Sequence, residues 1–254
     1  MHHETLQGPY APLRHPTPIT LGARLTLDPR TVEGLHFRKV NTREAFTLLG
    51  PDGAAFRCAL EALSAHAGEA LAYEAMGVLP ESPLDLTVVC AVLQRQRMLP
   101  VSQKIAELGA NRLQPVFTLK SVGPEGLAHE KAHAWPGQCL KGARQCRRAS
   151  VPRVEAAVKL AEVFATPWWR GAAFRLFLDD RSDNEAEALF AAAARSPRAA
   201  VLVVGPEGGF ADVERAALRE AGALGWRLGG RVLRAETAVF AGVSVLQERF
   251  GDYL

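Results

Sequence analysis

Val201-Leu202-Val203-Val204 runs directly into Gly205-Pro206-Glu207-Gly208-Gly209. Four apolar residues in a row fit a strand buried on both faces of a parallel sheet, because such a strand has no solvent face to alternate toward. The glycine-rich turn that follows then sits at the carboxyl edge of the sheet, where open α/β folds bind ligands. Glycine lets backbone N–H and C=O groups approach a ligand closely, and Pro206 stiffens the turn. Taken alone, the turn fits a tight strand-to-helix connection equally well. It is not a phosphate loop of the usual kinds, since neither G-x-G-x-x-G nor G-x-x-x-x-G-K-[ST] occurs here. Glu207 would also repel phosphate, so a ligand with an adenine ring and a positive centre suits the turn better.

A second stretch, Leu228-Gly229-Gly230-Arg231-Val232-Leu233-Arg234-Ala235-Glu236-Thr237-Ala238, again follows a short apolar piece and opens the last helix. Glu236 complements the helix dipole in the first turn, whereas Arg231 and Arg234 are candidates for anion contacts. Both stretches leave parallel strands at one sheet edge, and together they favour a ligand pocket over a simple connection.

Working outward, apolar strands are expected at Leu84–Leu93, Arg112–Phe117, Phe174–Leu178, Ala199–Val204 and Leu224–Leu228. Helices are expected at about Leu99–Leu108 (ended by Gly109), Val154–Phe164, Asn184–Arg195, Asp212–Glu220 and Glu236–Phe250. Strands alternating with helices predict an α/β domain over residues 84–254. Residues 1–80 read differently, as short strands at Arg24–Leu27, Ala45–Leu49, Ala54–Leu60 and Glu69–Val78 with a turn at Gly50-Pro51-Asp52-Gly53. That pattern predicts a small β-barrel-like domain, joined through a linker containing Pro80 and Pro83.

Composition fits this picture. The chain has 254 residues, 48% hydrophobic and 22% charged, with a net charge of +3. So mild a charge permits nucleic-acid binding without demanding it; local clusters such as Arg95 with Arg97, and Lys141 to Arg153, matter more. No segment approaches about 18 uninterrupted apolar residues, which argues against a membrane span. Met1-His2-His3-Glu4 lacks the apolar region of a secretory signal. Cys58, Cys90, Cys139 and Cys146 show no C-x2-C spacing, so zinc is not indicated and a reducing, cytoplasmic setting is expected. His129-Glu130-Lys131-Ala132-His133 spells the H-E-x-x-H metalloprotease pattern. Its segment is polar and cut off by Pro136-Gly137, so it reads as a chance match on a surface loop, and no metal is expected.

The two C-terminal motifs resemble the SPOUT methyltransferases that modify N3 of a uridine in small-subunit ribosomal RNA, the RsmE-type family. Lys104-Ile105-Ala106-Glu107-Leu108-Gly109 is similar to that family's K-x-x-E-L-G helix end. Trp135, then Gln145-Cys146-Arg147-Arg148 and Val151-Pro152, is similar to its W…EQ-x-x-R…VP segment. The chain departs from the pattern at Leu99-Pro100, Lys120, Arg144, Arg147 and Ala211. The resemblance implies a trefoil-knotted SPOUT domain preceded by a small PUA-like β-barrel RNA-binding domain. It also implies a homodimer, S-adenosylmethionine as cofactor, and 16S rRNA or the small ribosomal subunit as partner. The cofactor contacts it implies are Leu178, Gly205, Glu207, Gly208, Leu228, Gly229, Val232, Leu233, Ala235 and Thr237. Arg231, Arg234 and Glu207 are the catalytic candidates. Arg38, Lys39, Arg97, Lys104, Arg144, Arg147 and Arg148 are the candidate RNA contacts. Two alternatives stand beside this reading: another SPOUT enzyme acting on tRNA or ribose 2′-oxygen, and an RNA-binding relative without catalysis.

Overall fold

An uncharged apolar stretch is stable in a core only where neighbours on both sides complete its backbone hydrogen bonds. Leu86 and Val88–Ala91 meet that condition, being fully buried in strand β5 (Asp85–Ala91). The computed structural model describes residues 6–183, 186, 190 and 199–253. Among these, β5 pairs in parallel with β10 (Ala199–Val204) on one side and β6 (Arg112–Phe117) on the other. The sheet has the order β11-β9-β10-β5-β6-β7, with β8 also on β6, and every pairing is parallel. β9 is Phe174–Leu178 and β11 is Leu224–Trp226, while β7 (Arg153–Val154) and β8 (Val158–Lys159) are two-residue pieces.

Period-two alternation divides the strand residues between two layers. Leu86, Val88 and Cys90 join Leu202 and Val204 under α2 (Arg95–Glu107) and α7 (Ala235–Phe250). Val89, Val201 and Val203 face Phe177, Phe210 and Leu218 on the opposite side, the last from α6 (Asp212–Glu220). α7 lies very close to the sheet at Gly242, where a Cβ would stand 2.9 Å from Leu202 and 3.2 Å from Leu178.

In the larger unit β6, β9, β10 and α6 occupy the expected positions, and β5, β11 and α7 lie within two residues of theirs. Other elements differ. The helix expected over Val154–Phe164 is instead β7, β8 and a single turn, α4 (Leu160–Val163). Pairing of Arg153 with Arg112 and of Val158 with Val116 satisfies the backbone laterally, and this outweighs local helix preference. α2 begins four residues before Leu99, with Pro100 inside it. Met98, Val101 and Ile105 are fully buried at helical spacing, so the apolar face extends past the proline. The polar segment after Gly126 turns at Trp135 into α3 (Trp135–Gln145), with Pro136 in the first turn, where its missing N–H costs nothing. A short helix, α5 (Pro167–Gly171), precedes β9. The helix expected over Asn184–Arg195 lies outside the described residues, apart from Ala186 and Phe190. The Phe190 ring stacks near Phe174, Trp226 and Phe250.

The chain divides into two compact units, residues 82–142 with 152–254, and residues 3–81 with 143–151. The smaller unit holds a four-stranded antiparallel sheet of order β1-β4-β3-β2, from β1 (Arg24–Leu27), β2 (Ala45–Leu49), β3 (Ala55–Leu63) and β4 (Gly68–Met76). The β2 edge is covered: Leu49 N donates to Leu13 O, and His15 N to Leu49 O. A helix absent from the sequence reading, α1 (Pro29–Phe37), packs Val32 and Leu35 into this core. Its signal was present as an N-cap aspartate before proline: Asp28 accepts from the backbone N–H of Arg30 and Thr31.

Arg148 and Glu81 are among the charged residues buried in the smaller unit. Arg148 reaches Glu81 at 2.9 Å with side chains 3% and 0% exposed, and Ser150 donates to Glu81 through both hydroxyl and amide. Burial alone would raise the Glu81 carboxyl, but Arg148 and the two Ser150 donors outweigh it and hold the group below its ordinary 4.5. A carboxyl depressed on folding stabilises the native state above its unfolded value and loses that contribution as pH falls through the folded one. We therefore expect Arg148→Met to destabilise the smaller unit by about 3–5 kcal/mol at pH 7, through the charge left unpaired on Glu81. Urea titrations should show that difference shrinking below pH 4.5, as Glu81 is protonated in both states.

Candidate active site

Because every strand of the larger sheet is parallel, the chain leaves β9, β10 and β11 at a common edge. The three loops that start there line one cleft of about 480 Å³, within the roughly 300–1,000 Å³ usual for small-molecule sites. Asp179–Arg181 follow β9, Gly205–Phe210 follow β10, and Arg227–Arg234 lead into α7. Apolar walls come from Leu178, Val204, Trp226, Leu228, Leu233 and Ala238.

The glycines of the first motif have different structural reasons. Gly209 adopts φ +65°, a left-handed conformation that side chains disfavour. Gly205 passes under the Phe210 ring, where a Cβ would lie 3.1 Å away. Lys120 supports the turn from outside, its Nζ donating to Gly208 O at 2.9 Å. This lysine occupies one of the departures noted in the sequence, and a single ammonium suffices for one carbonyl. Ala211 caps α6 without a side-chain acceptor. Glu214 compensates by accepting from both Ala211 N and Leu119 N at 2.8 Å.

Glu207 faces the cleft and receives Arg97 Nη1 at 2.7 Å. Arg97 Nε stands 3.8 Å from Glu236 Oε2, a buried oxygen without a hydrogen-bond partner. Also in the lining, Arg215 Nε donates to Asp179 Oδ2 at 2.8 Å, and Asp179 Oδ1 accepts from Arg181 N. Asp179 and Arg215 escaped the sequence reading. An aspartate following an apolar strand was the available signal, but its partner lies 36 residues away in α6.

Of the expected cofactor contacts, Leu178, Gly205, Glu207, Gly208, Leu228, Gly229, Val232, Leu233 and Ala235 line the cleft, and Thr237 does not. Ala235 and Ala238 share one helix face, and Thr237, two residues beyond Ala235, is exposed on another. Arg231 and Arg234 are exposed where they line it. The cleft thus offers backbone beside glycines, an apolar wall for a flat ring, and a carboxylate for a cationic centre. Those are the features that S-adenosylmethionine requires.

The expected RNA contacts behave less uniformly. Arg38 is buried and donates to Pro9 O and Ala11 O, and Arg148 is buried against Glu81, so neither presents its charge to solvent. Both are corrections: the residues look basic in sequence, but each guanidinium is taken up by acceptors within the smaller unit. Lys104 pairs with Glu107, Arg144 with Glu44 and Arg147 with Glu74, all at or near the surface. Lys39 is exposed in a left-handed turn at φ +52°. The H-E-x-x-H stretch does not form one helix: Lys131 is left-handed, and the 3-10 turn Ala132–Ala134 follows. Glu130 is buried and accepts from Arg95 N, away from the exposed His129 and His133. The described residues contain no group of three or more potential ligands able to hold a metal, and no helix among them is long and apolar enough to cross a membrane.

Residues 80–247 match the family model of the RNA methyltransferase domain. The chain belongs to that family. It is 30% identical over 229 residues, 86% of each chain, to the ribosomal RNA small subunit methyltransferase E of Mycobacterium bovis. With the enzyme of the same name from Buchnera aphidicola it shares 28% identity over 68% of each chain. Among solved structures it is similar to a ribosomal RNA small subunit methyltransferase E from Neisseria gonorrhoeae bound to S-adenosyl methionine. That likeness has 28% identity and a TM-score of 0.66, covering 96% of this chain and 99% of the other. A putative methyltransferase from Legionella pneumophila in complex with SAM gives the same identity and TM-score over 95% and 98%.

No thiol in the described cleft competes as a nucleophile. Cys90 is fully buried in β5, and burial, with a smaller contribution from Glu207, pushes its thiol up to about 12. Brief iodoacetamide treatment of the native protein at pH 8 should label Cys146, which is half-buried, ahead of Cys58, Cys90 and Cys139. Peptide mass mapping would check this, and rapid labelling of Cys90 would show that the β5 edge opens readily.

Proposed function

We propose that this chain transfers a methyl group from S-adenosylmethionine to N3 of a uridine in the 16S rRNA of the small ribosomal subunit. One observation carries the reading: the three loops leaving β9, β10 and β11 converge on one cleft, with Glu207 inside it and Arg231 and Arg234 exposed along it. The names of the relatives support the substrate, and the two SAM-bound structures support the cofactor. In the same reading residues 84–254 form a trefoil-knotted SPOUT domain and residues 1–80 a PUA-like RNA-binding domain. The protein works as a homodimer in the cytoplasm.

The bound cofactor supplies an electrophilic methyl group on a positively charged sulfur. The chain's residues supply the rest. The cleft's apolar wall excludes water, and the glycine turn lets backbone approach the ligand. Uridine N3 carries the proton of a weakly acidic imide, which must leave before nitrogen can act as nucleophile. Negative charge then develops on the base. Arg231 and Arg234 are placed to stabilise it, and Glu207 to accept the proton or hold the base edge.

Incubation with S-adenosylmethionine and small-subunit rRNA, followed by nucleoside mass spectrometry, should yield 3-methyluridine. A methyl group on ribose 2′-oxygen, or product formed only on tRNA, would overturn the assignment in favour of another SPOUT activity. Failure to bind the cofactor would favour a non-catalytic RNA-binding protein. The double variant Arg231→Ala/Arg234→Ala should lose about 10²–10³ in kcat. Its affinity for S-adenosylmethionine, measured by calorimetry, should change far less.

A further inference from the structure

The sequence places Arg97 among basic residues at the start of α2, where it reads as an RNA contact. Its geometry is that of a clamp. Arg97 Nη1 meets Glu207 on the turn after β10 at 2.7 Å, and Arg97 Nε faces Glu236 in the first turn of α7 at 3.8 Å. The two carboxylates belong to the two motifs that border the cleft, 29 residues apart in sequence. The side chains are 24%, 33% and 19% exposed, so Arg97 and Glu236 are partly withdrawn from solvent while Glu207 stays more open. A guanidinium between two carboxylates in such a setting is not free to follow a phosphate backbone.

The backbone that carries Arg97 is hydrogen-bonded and anchored in the core. Arg97 N and Met98 N both donate to Gln94 O, and Met98, next along α2, is fully buried. Two contacts thus fix the first turn of α2, and its side chain holds the two loops from one side. Without the cation, Glu207 and the partnerless Glu236 Oε2 would be like charges in partly buried surroundings with nothing between them.

We propose that Arg97 is a positioning residue for cofactor binding: it ties Glu207 to Glu236 and so sets the separation of the glycine turn from the loop that opens α7. It acts through the two glutamates rather than by touching RNA. Lysine cannot replace it, because a single ammonium cannot present the two edges of a planar fork to two carboxylates. The proposal rests on the reading that the cleft holds S-adenosylmethionine.

Calorimetric titration of S-adenosylmethionine into the full-length wild type, Arg97→Met, Arg97→Lys, Glu207→Gln and the Arg97→Met/Glu207→Gln double variant tests it. Binding of a transcribed small-subunit rRNA to each is measured in parallel. Arg97→Met should weaken cofactor binding by about ten- to a hundredfold and leave rRNA affinity unchanged. Arg97→Lys should not restore it. In the Glu207→Gln background the Arg97→Met effect should shrink to about threefold or less, since the two changes remove the same contact. An unchanged cofactor affinity with weakened rRNA binding would overturn the proposal and make Arg97 an RNA contact. Fully additive effects would overturn it too, by making Arg97 independent of Glu207. If Arg97→Met fails to fold, as judged by thermal melting, Arg97→Gln takes its place in the same cycle. Ala238→Trp, which puts an indole into the cleft, separates the two claims. Retained cofactor affinity in Ala238→Trp defeats the cleft reading itself. Lost affinity there, with none lost in Arg97→Met, defeats the clamp alone.

Discussion

The hydrogen bonding of β5 on both edges is the constraint from which the rest of the larger unit follows. A strand buried and uncharged from Leu86 to Ala91 must find neighbours for its N–H and C=O groups, and β10 and β6 provide them in continuous parallel register. Parallel pairing makes each strand end at the same edge. It also puts a helix or long loop between consecutive strands, so the connections crowd the two faces and leave the carboxyl edge to short turns. The cleft is the space those turns enclose. It exists because β9, β10 and β11 are neighbours in the sheet, although residues 179 to 198 separate the first two in the chain.

Charge within the cleft is arranged in pairs on its walls and left open along its exposed loops. Asp179 is taken by Arg215, and Glu207 by Arg97, both in partly buried surroundings where an unpaired charge would be costly. Arg231 and Arg234 are exposed instead. The wall pairs therefore hold their carboxylates in place, while the exposed cations remain accessible to a polyanion. In the smaller unit Glu81 and Arg148 are paired with hardly any exposure at all. Basic residues in this chain thus divide by burial into those that hold the fold and those that face solvent, a division that net charge does not reveal.

Much of the fold was legible because the strands β6, β9 and β10 are short apolar runs bounded by glycine, proline or charge. Elements were misread where a tertiary partner outweighed a local preference. Residues 154–164 look helical, but Arg153–Val154 and Val158–Lys159 pair with β6, and α2 extends before Pro100 because Met98 has a core to enter. The helix α1 was overlooked although Asp28-Pro29 announces it. In the site, glycines and alanines beside apolar strands were readable, because close backbone approach requires them. Thr237 stands outside the cleft lining, since two residues along a helix turn a side chain to another face.

By itself, the sequence determined the strand runs, the glycine turn, the paired arginines before the last helix and the family to which they belong. These are local: each depends on residue type, spacing and the stereochemistry of adjacent residues. Only the tertiary structure decided which charges are free. Arg97, Arg148 and Arg231 are alike as letters, yet one bridges two carboxylates, one is buried and one is exposed. The physical reason is that a side chain's electrostatic role depends on neighbours and solvent. Those are supplied by residues tens of positions away, brought near by the register of the sheet.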